Sequence, residues 1–365
     1  MTTSTGITNI FSLAAAKKAS DIHLLFGQEP TLRIDGRLFS INEVLRGADS
    51  DESIAGEKFP PFNENDLAKA TDFLLNSEQK KRFFDKRDLD ISRQVDGARF
   101  RLNFSFERNN IKIVARVISE SKPTLEEIGL PNIVRDLLNL PQGFILITGP
   151  TGCGKSTTLA AMVNYINDHQ SVNIVTLEDP IEFVFKSNKS IISQRQLGTD
   201  MLSFASGLKH VLRQDPNVIM LGEMRDLETI STAVTLAETG HLVLATLHTY
   251  SAAQTIDRII DIFPPYQQSQ IKSQLSSVLT AVISQRLLPC QQGGRIAARE
   301  ILINNSAIAN LIREGKIAQI KSTIETNSSY GMITLDKHIK TLYKEGKITK
   351  KAAEMQMEDP DGIEL

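Results

Sequence analysis

The 365-residue sequence predicts an α/β protein of two domains, a smaller α+β domain followed by one built on a largely parallel sheet. Three observations predict it. From Leu140 onward short apolar runs alternate with helical periodicity, a glycine-rich loop separates one such run from the helix after it, and the first third mixes strand patterns and helices less regularly.

The elements follow in order. Ile10–Ala16 reads as one face of a small helix, since no Lys or Arg precedes it and Lys17 and Lys18 follow it, the reverse of a secretory leader. Leu32–Ile34 and Ile111–Ala115 read as strands, and Leu67 to Leu75 as a helix. Between them Gly47 to Asp66 is polar and carries Pro60 and Pro61, which reads as an exposed loop or insertion. The first domain is assigned to residues 1–118 and a linker to 119–131, where Lys122-Pro123 and Leu130-Pro131 punctuate a charged stretch. Residues 132–365 form the second domain. Its first strand, Phe144–Ile147, is a continuous apolar run of the kind buried on both faces of a sheet. Leu159, Met162, Val163 and Ile166 then recur at helical spacing, and Val172–Leu177, Val218–Leu221 and Leu242–Thr246 supply further strands. Beyond Arg295 the chain reads as mostly helical, a part placed at about 296–365.

Composition narrows the function classes. A net charge of −2 and a pI near 6.3 give no bulk attraction for nucleic acid or acidic membranes. Only two cysteines occur, Cys153 and Cys290, so neither a disulfide framework nor a four-cysteine zinc site is available, which fits a reducing compartment. No apolar run approaches the roughly 18–20 residues that cross a bilayer. The expectation is a cytoplasmic protein that reaches a membrane only through a partner and binds no nucleic acid.

Gly149-Pro150-Thr151-Gly152-Cys153-Gly154-Lys155-Ser156-Thr157 matches G-x-x-x-x-G-K-[ST] between a strand and a helix. Glycines there permit a tight loop whose N–H groups point at phosphate oxygens, and the following helix presents its positive end to the same charge. In this reading ATP is the ligand, Lys155 reaches its β- and γ-phosphates, and the Ser156 hydroxyl ligates Mg²⁺. Cys153, at a helix start beside Lys155, sits where a thiolate is favoured, so a reactive thiol is expected. Three further groups close predicted strands, where ligands of open α/β sheets bind: Glu178, Glu223 and His248. An acidic residue after an apolar strand is where such an enzyme holds its metal shell or its attacking water.

Several ordered runs carry a likeness: Ile174–Glu182, Leu212–Pro216, Gly222–Asp226, Ala237–Leu242 and Thr246–Thr249, with Ala19–Leu24 before them and Ala307–Glu314 after. Together they resemble the secretion-superfamily ATPases of type II secretion and type IV pili, most closely the pilus retraction branch. The resemblance implies a PAS-like N-terminal domain, a RecA-like ATPase domain and a ring of six subunits driving pilus retraction from the inner face of the cytoplasmic membrane. It implies an inner-membrane platform protein and an accessory retraction ATPase as partners. By the same likeness Glu178 belongs to an Asp box, Glu223 is the Walker B catalytic glutamate, His248 belongs to a His box, and Arg101 and Arg116 approach the nucleotide phosphates. Glu178 and Glu223 would reach the metal through water. The chain departs from the pattern at Ala309, where arginine is usual, at Glu107, where glutamine is usual, at Cys153, where serine is common, and in the length of the stretch from Gly47 to Asp66. Alternatives within the same core are a pilus extension or type II secretion assembly ATPase, a non-catalytic ring subunit and a nucleic-acid translocase.

Overall fold

The computed structural model describes residues 4–34, 36–46, 58–118 and 123–364. The chain divides into two compact units, one of residues 1–121 with Pro180–Phe183, the other of residues 122–179 and 184–365.

The first unit runs α1 (Ser4–Ala16), β1 (Asp21–Leu24), β2 (Thr31–Ile34), β3 (Arg37–Ser40), α2 (Ile41–Arg46), α3 (Glu64–Leu74), α4 (Ser77–Lys86), β4 (Asp88–Val95), β5 (Ala98–Glu107) and β6 (Asn110–Ile118). Its six strands form an antiparallel sheet in the order β3-β2-β1-β6-β5-β4. Alternation sets which side chains enter the core: Phe100, Leu102 and Phe104 of β5 are buried, and Phe11 of α1 meets Phe100 edge-on at 4.7 Å between ring centres. Arg101 and Arg116 are register partners on β5 and β6 and share the opposite face. Asn63 and Asn76 open α3 and α4 with capping boxes, each side chain accepting from the N3 amide while the N3 side chain accepts from the cap. Of the stretch expected as an exposed loop, residues 47–57 lie outside the described residues. The remainder is not exposed throughout, because Phe59 and Phe62 are buried in the first unit's core and Asp66 is taken up in the Asn63 box.

The second unit runs α5 (Ile133–Leu138), β7 (Gly143–Thr148), α6 (Lys155–His169), β8 (Asn173–Glu178), β9 (Ile191–Gln196), α7 (Phe204–Val211), β10 (Val218–Leu221), α8 (Leu227–Glu238), β11 (Leu242–Leu247), α9 (Ala252–Asp261), α10 (Pro265–Val278), β12 (Leu279–Pro289), β13 (Arg295–Ile303), α11 (Ser306–Glu314), α12 (Ile320–Thr326), α13 (Leu335–Lys344) and α14 (Lys350–Glu354). Its seven strands lie in the order β13-β12-β7-β11-β10-β8-β9, all neighbours parallel except β12 and β13. Residues of β7, β10 and β11 are buried throughout, as a sheet covered on both faces requires.

Two expectations change here. Residues 295–303 are a strand, and the helical part starts at Ser306; pairing of Ala281–Pro289 with Arg295–Ile303 outweighs the local helix preference of Ala297, Ala298, Arg299 and Glu300. The expected linker is also shorter than 119–131. Residues 119–122 lie outside the described residues, whereas Leu125 and Leu130 are buried in the second unit with Val134 and Leu138.

Candidate active site

Parallel strands deliver their C-terminal ends to one edge of a sheet, and the second unit gathers the predicted groups there. The loop 149–154 follows β7, Glu178 ends β8, Glu223 lies two residues past β10, and His248 directly follows β11. The loop turns by positive φ at Gly149, Gly152 and Gly154. At Gly149 a side chain is excluded sterically as well, since a Cβ would sit 2.3 Å from the Gln285 carbonyl oxygen and 2.7 Å from Cys153 Sγ.

Lys155 opens α6, and its Nζ donates to Gly149 O at 2.8 Å and Pro150 O at 3.1 Å. The same Nζ lies 3.4 Å from His248 Nδ1, while His248 Nε2 lies 2.9 Å from Glu223 Oε1. An ammonium can only donate, so in this contact Nδ1 accepts and Nε2 is left to donate to Glu223. Lys155, His248 and Glu223 therefore form one hydrogen-bonded row.

Arg225 completes it, with Nε on Glu223 Oε1 and Nη2 on Oε2 at 2.8 Å, a two-pronged clasp on one carboxylate. Burial alone would push the Glu223 carboxyl up, but Arg225 and His248 outweigh it and hold the group below the usual glutamate range. Glu223 is thus an ionised, oriented acceptor. Glu178 is buried, and its Oε1 accepts from Thr176 Oγ1 at 2.7 Å and Gln194 Nε2 at 3.0 Å. The two carboxylate segments are tied by backbone, because Gly222 N donates to Leu177 O at 2.8 Å. Ser156 begins the first turn of α6 beside Lys155. A serine hydroxyl at the start of α6 and carboxylates at the same edge of the sheet are hard-oxygen donors, the type suited to a small cation otherwise held by phosphate and water. Among the described residues no three His, Cys, Asp or Glu gather into a metal cage.

The remaining expectations divide. Arg101 and Arg116 belong to the first unit, where Arg101 Nη1 is 3.6 Å from Glu182 Oε1 and Arg116 Nε donates to Asp21 Oδ1 at 3.0 Å. Cys153 is corrected: it is 3% exposed with Sγ packed under Gly149, and burial pushes its thiol up despite the Lys155 charge. A reactive thiolate is not what this environment makes. On α11, Ile308 and Ile312 are buried and Leu311 packs partly against the core, leaving Arg313 and Glu314 exposed.

Sequence reading missed Arg225, Gln194 and Gln285. Arg225 lay within a quoted run, two residues from Glu223, and extended backbone puts i and i+2 on one side. Gln285 had a signal too: Ser284-Gln285-Arg286 is a polar interruption in the apolar stretch of β12, and a buried polar side chain has partners to satisfy.

Comparison with known proteins shows the family. The family described as Type II/IV secretion system protein matches residues 3–359. A Pseudomonas aeruginosa protein named type IV pilus retraction ATPase PilT is 43% identical over 358 residues, covering 98% of this chain and 99% of that one. A Neisseria gonorrhoeae twitching motility protein is 46% identical over 306 residues, 83% of this chain and 82% of its own. The crystal structure of the pilus retraction motor PilT with bound ADP superposes with a TM-score of 0.87 at 42% identity, covering 98% of each chain.

Proposed function

The chain belongs to the Type II/IV secretion system protein family, and from that membership we propose that it is a RecA-like ATPase that drives type IV pilus retraction. The observation that carries hydrolysis is the row Lys155–His248–Glu223 beside the glycine loop. The direction of the motor rests on near-full-length likeness to a retraction ATPase.

In this reading the N–H groups of the loop and the Lys155 ammonium bind the nucleotide phosphates. Glu223, ionised and aimed, orients the attacking water and accepts its proton. His248 touches both Lys155 and Glu223, so displacement of the ammonium by a γ-phosphate is felt at the carboxylate through a single ring. Ser156 would hold Mg²⁺, with Glu178 and Glu223 reaching it through water, and the ion would supply neutralisation of phosphate charge. Arg101 and Arg116 are the candidates for stabilising phosphate charge from the first unit, in the same subunit or a neighbour, once released from Glu182 and Asp21.

Mechanical work requires that ATP, ADP and nucleotide-free states favour different conformations. A ring of six copies acting on an inner-membrane platform protein from the cytoplasmic side, with an accessory retraction ATPase, is the assembly this reading takes. Among the described residues no helix is long and apolar enough to cross a membrane.

Glu223→Gln tests the site. The amide keeps size but loses the proton acceptor, so ATP binding is expected to persist while turnover falls about 10²- to 10⁴-fold. Turnover within a few-fold of wild type would refute the assignment of Glu223.

A further inference from the structure

We propose that Gln285 is a positioning residue for nucleotide binding, bracing the phosphate-binding loop from the adjacent strand through its carboxamide. β12 runs parallel beside β7, and the last register pair of that ladder, Thr148 at the end of β7 and Ser284 in the middle of β12, is joined through Thr148 Oγ1 and Ser284 Oγ at 2.7 Å. The next residue, Gln285, is 2% exposed. Its Nε2 donates to Cys153 O at 2.7 Å and its Oε1 accepts from Thr158 Oγ1 at 2.9 Å. Its backbone carbonyl lies where a side chain on Gly149 would collide. One residue thus closes off space beside the start of the loop and hydrogen-bonds the end of the loop and the first turn of α6.

The Cys153 carbonyl accepts only, so the amide nitrogen faces it, and the Thr158 hydroxyl then completes the other end. In a trans peptide the C=O and the following N–H point in opposite directions. Holding the Cys153 carbonyl toward β12 therefore aims the Gly154 N–H away from β12. That is the orientation a phosphate oxygen at the helix N-terminus requires. No apolar side chain of similar length supplies a donor and an acceptor from one planar group.

The inference rests on the reading of residues 149–157 as the phosphate loop, and both can be tested together in the full chain. ADP affinity is measured by calorimetry, and KM and kcat with ATP. Gln285→Met is expected to raise the ADP Kd and the KM by about tenfold, the scale of one charge-assisted contact, with kcat within about twofold. Thr158→Val, which removes the partner that orients the amide, should shift both constants the same way by a smaller factor, and Thr158→Ser should restore them. Lys155→Ala in the same titrations reports on the loop itself: ADP affinity unmoved by it overturns the loop reading. Affinity lowered by Lys155→Ala but unmoved by Gln285→Met and Thr158→Val overturns the brace. A lower melting temperature in Gln285→Met with unchanged Kd and KM would reduce Gln285 to core packing. A fall in kcat at constant KM would assign it to the chemical step, which also overturns the proposal. If Gln285→Met does not fold, the Thr158→Val and Thr158→Ser pair carries the test.

Discussion

Single residues differ in how openly the sequence declares them. Lys155, Glu178, Glu223 and His248 each stand in a local run whose strand or helix context is readable, so their convergence at one sheet edge follows from strand order. Gln194 acts through Glu178 on the neighbouring strand and Gln285 through Cys153 and Thr158 on the loop and α6, and linear spacing carries no trace of those pairings, whereas Thr176 reaches Glu178 two residues along the same strand. Cys153 shows the opposite failure. Its neighbours suggested a thiolate, but reactivity also needs exposure, and the side chain is buried against Gly149. Thiol reagents at neutral pH are therefore expected to modify Cys290, which is partly exposed, well before Cys153, with ATPase activity surviving the first modification. Mass mapping of the modified peptide against residual activity checks this; rapid, ATP-protected loss of activity with label on Cys153 would contradict it. Cys153→Ser should remain active, because a small side chain suffices beneath Gly149.

At the scale of elements, continuous apolar runs announced β7, β8, β10 and β11, whereas β9 and β13 were hidden. β9 is an edge strand of mostly polar residues, and β13 is made of good helix formers pressed into a hairpin by pairing with β12. That pairing also buries Glu300, whose Oε1 accepts from Ala252 N at 2.7 Å and so caps the start of α9. Burial pushes the Glu300 carboxyl up, with the Ala252 amide only partly opposing. A carboxyl raised in the folded state holds its proton there more firmly than in the unfolded chain, so its contribution falls as pH rises from the ordinary value of 4.5 through the folded one. Glu300→Gln keeps an acceptor for Ala252 and removes the charge. Its melting temperature relative to wild type is expected to rise with pH over that range and to show no such gain below it; a constant difference across pH would refute the account. The cap on α3 offers a second check. Asn63→Ala should cost about 1 kcal/mol of first-unit stability by denaturant unfolding, because it leaves the Asp66 amide without its acceptor.

For the whole molecule, the change of rhythm near Leu140 was readable, but the start of the second unit was not. Leu125 and Leu130 join its core, and buried Arg299 holds the carbonyls of Ile128 and Gly129 at 2.7 and 3.1 Å, so the turn before α5 is part of that unit's packing. Non-local anchoring of this kind leaves no periodicity to read. The motor's direction belongs to this scale and is tested in cells. A retraction motor withdraws subunits from the fibre base, so deletion should leave cells piliated yet unable to twitch, restored by the wild-type chain but not by Glu223→Gln. Bald cells would mean an extension motor instead, and rescue by Glu223→Gln would mean a ring subunit whose hydrolysis is dispensable. Native mass spectrometry of the purified chain with nucleotide is expected to show six copies; a stable monomer or dimer under those conditions would remove the ring.

The bond between Gln285 and the Cys153 carbonyl joins residues 132 apart in the chain. A ribosome making this protein completes the nucleotide loop long before it makes the strand that supports it, and contacts of such separation form late. The emerging polypeptide therefore passes through a long interval in which the loop exists but is not yet supported by β12. If Gln285 braces the loop as proposed, ligand capture is expected to wait until the sheet closes around β7. Nascent chains arrested before Leu279 should accordingly be retained poorly on an immobilised ADP resin, while those extended through Ile303 are retained well.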